Sequence, residues 1–306
     1  MTQAAHHAYR KNIFIAVLLV CTGYAFYNIG DAALKLVAGK FHFSEIFFIN
    51  SSIIASFMVV YGWIKEKKKA FRTKKPALMF YRALLAAAIS LCNIYALPHV
   101  PLTTFYTLIF TSPFWVALLS AYFLKDRLDK RRMMLILAGF AVILFIFRPD
   151  GGLLNRWAVL VLVSAFIYSC QLVMIRHIGS TESRPFMILC GSLMCLLIAI
   201  PFLPSHYVPP TPYEWGLFLM MGTTGSIGLL SITYAFQAAP SAAVVAPYHY
   251  TQIVWGALLG YYIFREIPDT VTIIGAALII LLGIYLIYDE TRRSALRKIV
   301  PEIVAG

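Results

Sequence analysis

Tyr95-Ala-Leu-Pro-His-Val-Pro101 and Tyr234-Ala-Phe-Gln-Ala-Ala-Pro240 are two copies of one element, a Tyr-Ala pair followed at the same spacing by Pro. After a one-residue offset, Trp115-Val-Ala-Leu-Leu-Ser-Ala-Tyr122 aligns with Trp255-Gly-Ala-Leu-Leu-Gly-Tyr-Tyr262. Lys125-Asp126 and Arg265-Glu266 then close the two blocks, and Lys35 and Arg176 stand at corresponding ends of the first helical segment of each half. The chain therefore reads as one unit written twice, and the architecture follows from what that unit is.

The unit is apolar. Of the 306 residues, 60% are hydrophobic and 13% charged, with mean hydropathy +0.78. A soluble domain carries roughly 25% charged residues, so two globular surfaces cannot be clothed from this composition. The apolar residues instead fall into ten blocks, each near the roughly 20 residues that a membrane-spanning helix needs. They are Asn12–Val37, Glu45–Trp63, Pro76–Leu97, Leu102–Leu124, Arg132–Phe147, Trp157–Ile175, Pro185–Leu203, Tyr213–Phe236, Ala242–Phe264 and Thr270–Tyr288. Short connections rich in Pro, Gly or charge separate them, such as Arg148-Pro-Asp-Gly-Gly152 and Pro209-Pro-Thr-Pro212. The first block carries Asp31 and Lys35 near its end and is too long for the apolar core of a secretion signal, so it reads as a retained first helix.

Charge placement orients the chain. With the N-terminus in the cytoplasm, the inner side holds Arg10, Lys11, seven basic residues in Lys65–Lys75, five in Lys125–Arg132, Arg176, Arg184 and four in Arg292–Lys298. The outer side holds Lys40, Arg148, Arg156 and Arg265. This bias is the positive-inside pattern of an inner-membrane protein with both termini cytoplasmic. The expected fold is an all-α integral membrane bundle of ten helices in two five-helix repeats, 12–150 and 151–288, between cytoplasmic tails 1–11 and 289–306. Five is odd, so the second repeat enters the membrane inverted, the arrangement of alternating-access carriers.

Other classes find little support. The formal charge of +13 sits in loops with no nucleic-acid-binding motif, so no nucleic-acid partner is expected. Cys21, Cys92, Cys170, Cys190 and Cys195 lie in apolar blocks without a Cys-x-x-Cys pair, which argues against a zinc site or disulfide framework. Gly222-Thr-Thr-Gly225-Ser-Ile-Gly228 lacks the Lys-Ser/Thr of a phosphate loop and reads as a helix-packing stripe. No nucleophile elbow or His-Glu-x-x-His motif is present, so no enzymatic activity, metal or cofactor is expected. A membrane enzyme or non-transporting scaffold remains the alternative to a carrier, and a channel a third reading.

Depth selects the polar residues that could touch cargo. Tyr24 sits about halfway along the first block and Asn28 further on, and spacings of four, three and four place Tyr24, Asn28, Asp31 and Lys35 on one face. The sixth block offers Ser164, Tyr168 and Gln171; the fourth offers Thr104, Thr107 and Thr111 before Pro113; the ninth offers His249 and Gln252 beside Pro247. Tyr24, Asn28, Thr111, Tyr168, Gln171, His249 and Gln252 are the expected cargo contacts, the other reading being hydrogen bonds between packed helices. Asp31 and Lys35 are expected to form an i,i+4 pair of opposite charge. Together with Arg82 they are the candidates for gating or coupling, because a charge at the centre of a membrane helix costs about 2.5–3.5 kcal/mol on insertion scales. Snorkelling to the headgroups is the competing reading for Lys35 and Arg82. His249 is either a hydrogen-bonded neutral imidazole or a proton-responsive group. Pro113 and Pro247, inside the fourth and ninth blocks, should each kink a helix.

The chain resembles the EamA-type branch of the drug/metabolite transporter superfamily. The resemblance rests on Arg82, Tyr95-Ala96 with Pro101, Pro113-Phe-Trp115, Lys125-Asp-Arg-Leu128 and Ala138-Gly139 in the first half. In the second half it rests on Pro247-Tyr-His-Tyr250, Gly256-x3-Gly260, Phe264-Arg-Glu-Ile-Pro-Asp269 and Gly275-Ala276. Pro247-Tyr-x-Tyr250, Phe264-x-Glu-x-Pro-Asp269 and Asp31-x3-Lys35 with Glu45 are similar to a subgroup that includes S-adenosylmethionine uptake carriers. Asn50 stands where the family often has Arg in the second helix. The resemblance implies a secondary transporter for a small organic metabolite, amino-acid-like or S-adenosylmethionine-like, working in the bilayer as a monomer or homodimer.

Overall fold

The computed structural model describes residues 3–123, 134, 137–139, 141–142, 156–178, 182–238, 251–278, 280–282, 284–285 and 288. Among these residues every regular element is helical. They are α1 (Gln3–Ala38), α2 (Phe43–Glu66), α3 (Pro76–Ala96), α4 (Leu102–Ile109), α5 (Ser112–Phe123), α6 (Arg156–Ile178), α7 (Arg184–Ala199), a single turn α8 (Leu203–His206), α9 (Pro212–Ala238), α10 (Thr251–Phe264) and α11 (270–278). Five described helices contain stretches long and apolar enough to cross a membrane: Val17–Ala38, Phe43–Glu66, Pro76–His99, Arg156–Ile175 and Pro212–Ala235.

The ends have local causes. His42 caps α2 by accepting a hydrogen bond from the Ser44 backbone N–H, and Ser183 does the same for α7 through Phe186 N–H. Pro76 and Pro185 occupy first-turn positions, where a missing N–H costs nothing. The block expected as one helix from Leu102 to Leu124 is instead two, broken at Phe110–Thr111. The break falls where Pro113, which has no N–H, would have left the Ile109 carbonyl unbonded in a continuous helix. Most of the fifth expected block, and the segment 239–250, lie outside the described residues.

Apolar side chains such as Val60, Ile64, Leu84, Val163, Leu197 and Leu281 point outward, where lipid would cover them. Inside, the helices pair in a regular pattern. α1 packs on α9 and α3 on α6; α2 packs on α7; α2 also meets α9 while α3 meets α7; α1 meets α10 while α4 and α5 meet α6; and α4 meets α10. Glycine sets the tightest crossing. A Cβ on Gly228 of α9 would lie 2.8 Å from the Gly23 carbonyl oxygen and 3.0 Å from the Tyr27 nitrogen of α1, backbone that cannot swing aside. Gly222 likewise faces Ile53 of α2, while Gly225 meets no such neighbour and opens toward the interior.

Gly228→Val should therefore destabilise the protein by about 1–3 kcal/mol through overpacking. Gly216→Ala, on the same helix with nothing within 4 Å of its added Cβ, should be neutral or slightly stabilising. Melting temperatures of the two variants in one detergent test the contrast.

Candidate functional site

A cavity of about 240 Å³ lies between the helices, lined from both halves of the chain. α1 contributes Tyr24, Tyr27 and Asp31; α2 Asn50 and Ser51; α3 Arg82, Ser90 and Asn93; and α4 Tyr106. From the second half come Ser164, Tyr168 and Gln171 of α6, Ser192 of α7, Gly225 of α9 and Gln252 of α10. Isoleucine, leucine and phenylalanine make up most of the remaining wall, with Ala86, Cys195, Met221 and two further glycines.

Its polar groups are braced from behind. The Tyr106 hydroxyl donates to Asp31 Oδ2 at 2.8 Å. Tyr106 can sit there because Gly256 presents no side chain: a Cβ on that residue would lie 2.4 Å from the Tyr106 ring. The Ser164 hydroxyl donates to Asn93 Oδ1 at 2.8 Å, joining α6 to α3, and Gln171 Nε2 donates to the Arg82 carbonyl at 3.4 Å. Tyr24 and Tyr168 interact across the cavity. Arg82 donates through Nη1 to the Met187 carbonyl of α7, and its buried Nε has no hydrogen-bond partner. The Asn50 Oδ1 is also buried without one.

Six of the expected residues thus line one cavity: Tyr24, Asp31, Arg82, Tyr168, Gln171 and Gln252. Asn28 is wholly buried and donates to the Tyr24 carbonyl at 2.7 Å, so the structure places it behind the wall. Thr111 is buried at the α4–α5 break, where its carbonyl accepts from Phe114 N–H. His249 lies outside the described residues. Asn50, Ser51, Ser90, Asn93 and Ser192 were not expected. Asn50 and Ser51 belong to a short polar run with Ser52, Ser192 stands alone in apolar sequence, and only the i,i+3 spacing of Ser90 and Asn93 hints at a shared face.

One expectation is corrected. Lys35 does not pair with Asp31. It forms an ion pair with Glu266, 231 residues away, and donates to the Val100 carbonyl at 2.7 Å. The i,i+4 spacing permits the local pair, but Lys35 instead reaches past the end of α10 toward two acceptors from other elements. Glu266 is positioned for it by Arg265, which adopts φ 56°, while Glu266 Oε2 accepts from the Leu102 N–H at the start of α4. The side chain folds back over Gly260, whose missing Cβ leaves room. This knot joins α1, α4 and α10 at one end of the bundle.

Beside it, Lys40 pairs with Glu214, and His42 stacks on His206 with ring centroids 3.9 Å apart. At the opposite end the Tyr61 and Tyr234 hydroxyls meet at 2.9 Å, the Arg184 guanidinium covers the Tyr234 ring, and Glu182 accepts from the Lys74 N–H.

Burial and the neighbouring His206 hold His42 below the usual histidine pKa. Unfolded His42 takes a proton near pH 6.5 while the folded ring resists it, so its contribution to stability is full above that pH and is lost as pH falls. Protonation would also remove the Nδ1 acceptor that caps α2. Melting temperature should drop between pH 7.5 and pH 5.5, and His206→Phe should flatten part of that drop.

The sequence profile of the EamA-like transporter family matches residues 14–148 and again 155–289. An S-adenosylmethionine uptake transporter of Rickettsia bellii is 26% identical over 266 residues, 86% of this chain and 89% of that protein. A pseudopaline exporter of Pseudomonas aeruginosa is 29% identical over 273 residues, covering 89% and 94%. Among solved structures, one crystallised protein shares the fold with TM-score 0.61 at 19% identity, over 91% of this chain and 98% of its own.

Proposed function

The chain belongs to the EamA-like transporter family, and from that premise we propose that it is a secondary carrier moving a small organic metabolite across the inner membrane by alternating access. It is a transporter and not an enzyme, and a multi-pass membrane protein. In the proposed architecture ten spans form two inverted five-helix repeats, with both termini cytoplasmic. The cargo is amino-acid-like or S-adenosylmethionine-like, in keeping with the relatives' names. Those names include an uptake carrier and an exporter, so the shared scaffold serves either direction.

The observation that carries this reading is the packing. Exchange each span for its counterpart five spans later, and α1 becomes α6, α2 becomes α7, α3 becomes α9, and the α4–α5 span becomes α10. The observed pairs then map onto one another: α1–α9 onto α6–α3, α2–α9 onto α7–α3, and α1–α10 onto α6 with α4 and α5, while α2–α7 and α4–α10 map onto themselves. Such self-mapping supports a pseudo-two-fold axis through the bundle, and the polar cavity lies among these paired helices. A carrier so built has one gate per face. The Lys35–Glu266 knot is one gate, and the Tyr61–Tyr234–Arg184 cluster is the other. Tyr24, Tyr168, Gln171 and Gln252 bind cargo; Asp31, Lys35 and Arg82 act in gating or coupling.

The test begins with a thermal-shift screen of purified protein against amino acids, nucleosides and S-adenosylmethionine, since a ligand bound by the folded form raises its melting temperature. In proteoliposomes, that compound loaded unlabelled on one side should accelerate uptake of its labelled form from the other. Flux without trans-stimulation would indicate a channel instead. Asp31→Asn should lower exchange while leaving insertion intact. Glu266→Gln should lower exchange about tenfold and also lower the melting temperature, because it leaves Lys35 buried without its partner. The double variant Lys35→Met/Glu266→Gln should recover the stability and most of the exchange, because a neutral pair can still part.

A further inference from the structure

The cavity carries one acidic and one basic side chain. Asp31 and Arg82 both line it, and neither forms an ion pair among the described residues. Lys35, one turn from Asp31, is committed to Glu266, which leaves Asp31 with the Tyr106 hydroxyl on Oδ2. Arg82 is only 9% exposed, uses Nη1 on a carbonyl, and keeps an unpartnered Nε.

The two charges stand at different depths. Arg82 is near the α3 N-terminus, and Asn93, eleven residues beyond it on the same cavity wall, is about 16 Å further along the axis. Lys35 reaches Val100, just past the end of α3, so Asp31, one turn back on α1, lies level with the last turn of α3. The charged residues are therefore separated by roughly 15 Å along the bundle. Between them the wall is Tyr24, Tyr27, Tyr168 and aliphatic side chains, with the uncharged polar groups of Asn50, Ser51, Ser90 and Ser192 among them.

We propose that the cargo is an elongated zwitterion: an acidic group beside Arg82, a cationic group beside Asp31, and an apolar or aromatic midsection against the tyrosines. The proposal rests on the carrier reading above and narrows its substrate class. A short α-amino acid carries its charges on one carbon and can neutralise only one pole at a time. The other pole would stay uncompensated inside the membrane, where an unpaired charge is costly. A molecule whose charged ends are held apart pairs both at once.

Straight-chain ω-amino acids, from aminobutyrate to aminododecanoate, form a ruler for this separation. Thermal shift of the full chain in detergent should show stabilisation that rises with length and is greatest for the longest members. Hydroxydodecanoate, which lacks the cation, and the methyl ester of aminododecanoate, which lacks the anion, should bind about tenfold more weakly than aminododecanoate. These ligand comparisons need no variant and control for chain hydrophobicity. Asp31→Asn should erase the preference for amine over hydroxyl, and Arg82→Gln the preference for acid over ester. Equal stabilisation by aminododecanoate and its two uncharged-end analogues, or by aminobutyrate, would overturn the proposal. Trans-stimulated exchange of some other ligand in that event would leave the carrier reading standing.

Discussion

A charge inside a bilayer must be paired, hydrated or neutralised, and that constraint organises this protein. Lys35 sits near the end of α1, where an unpaired ammonium would be costly. It is stabilised by Glu266 from the other half of the chain and by the Val100 carbonyl. Glu266 in turn satisfies the first N–H of α4, an orphan donor that a helix start otherwise exposes. One carboxylate thus ties α1, α4 and α10 together. Its hold on Lys35 is also what leaves Asp31 facing the cavity with no cationic partner among the described residues.

The same logic distinguishes the two ends of the bundle. The Lys35 end carries ion pairs, the largely buried Lys35–Glu266 and the Lys40–Glu214 pair, whose lysine is exposed. The other end carries a tyrosine pair and an arginine lying on a ring. Ion pairs bury full charges and separate only if water or another charge replaces the partner. Hydroxyl and cation–π contacts are individually weaker and exchange more readily with water. In an alternating carrier, two closures of unlike chemistry would give the two outward and inward states different sensitivities to cargo charge.

Much of the fold was legible because it is written in long-range, redundant signals. The apolar blocks, which give the helical membrane-spanning character, and the doubled Tyr-Ala…Pro element, which the two matches to the family profile parallel, survive uncertainty at single residues. Pro113 made a kink in the fourth block legible, but not the full break into α4 and α5 at Phe110–Thr111. Side-chain orientation was the weaker inference. Asn28 shares a stripe with Tyr24 and Asp31, yet sits at its edge and turns back to bond the helix backbone. Asn50, Ser51, Asn93 and Ser192 look like packing polars in sequence, because only tertiary structure brings α2, α3 and α7 to one wall. The Lys35–Glu266 pair was hidden for the same reason: proximity along one helix suggested Asp31, and nothing local points to a residue 231 positions away.

The central claim is that this ion pair is a gate that must open for cargo to pass. Lys35→Cys/Glu266→Cys in a background free of the native cysteines tests it directly, by measuring exchange in proteoliposomes before and after oxidation. If the gate is here, a disulfide across it stops exchange and a reductant restores it. Exchange that continues unchanged with the disulfide fully formed would contradict the account.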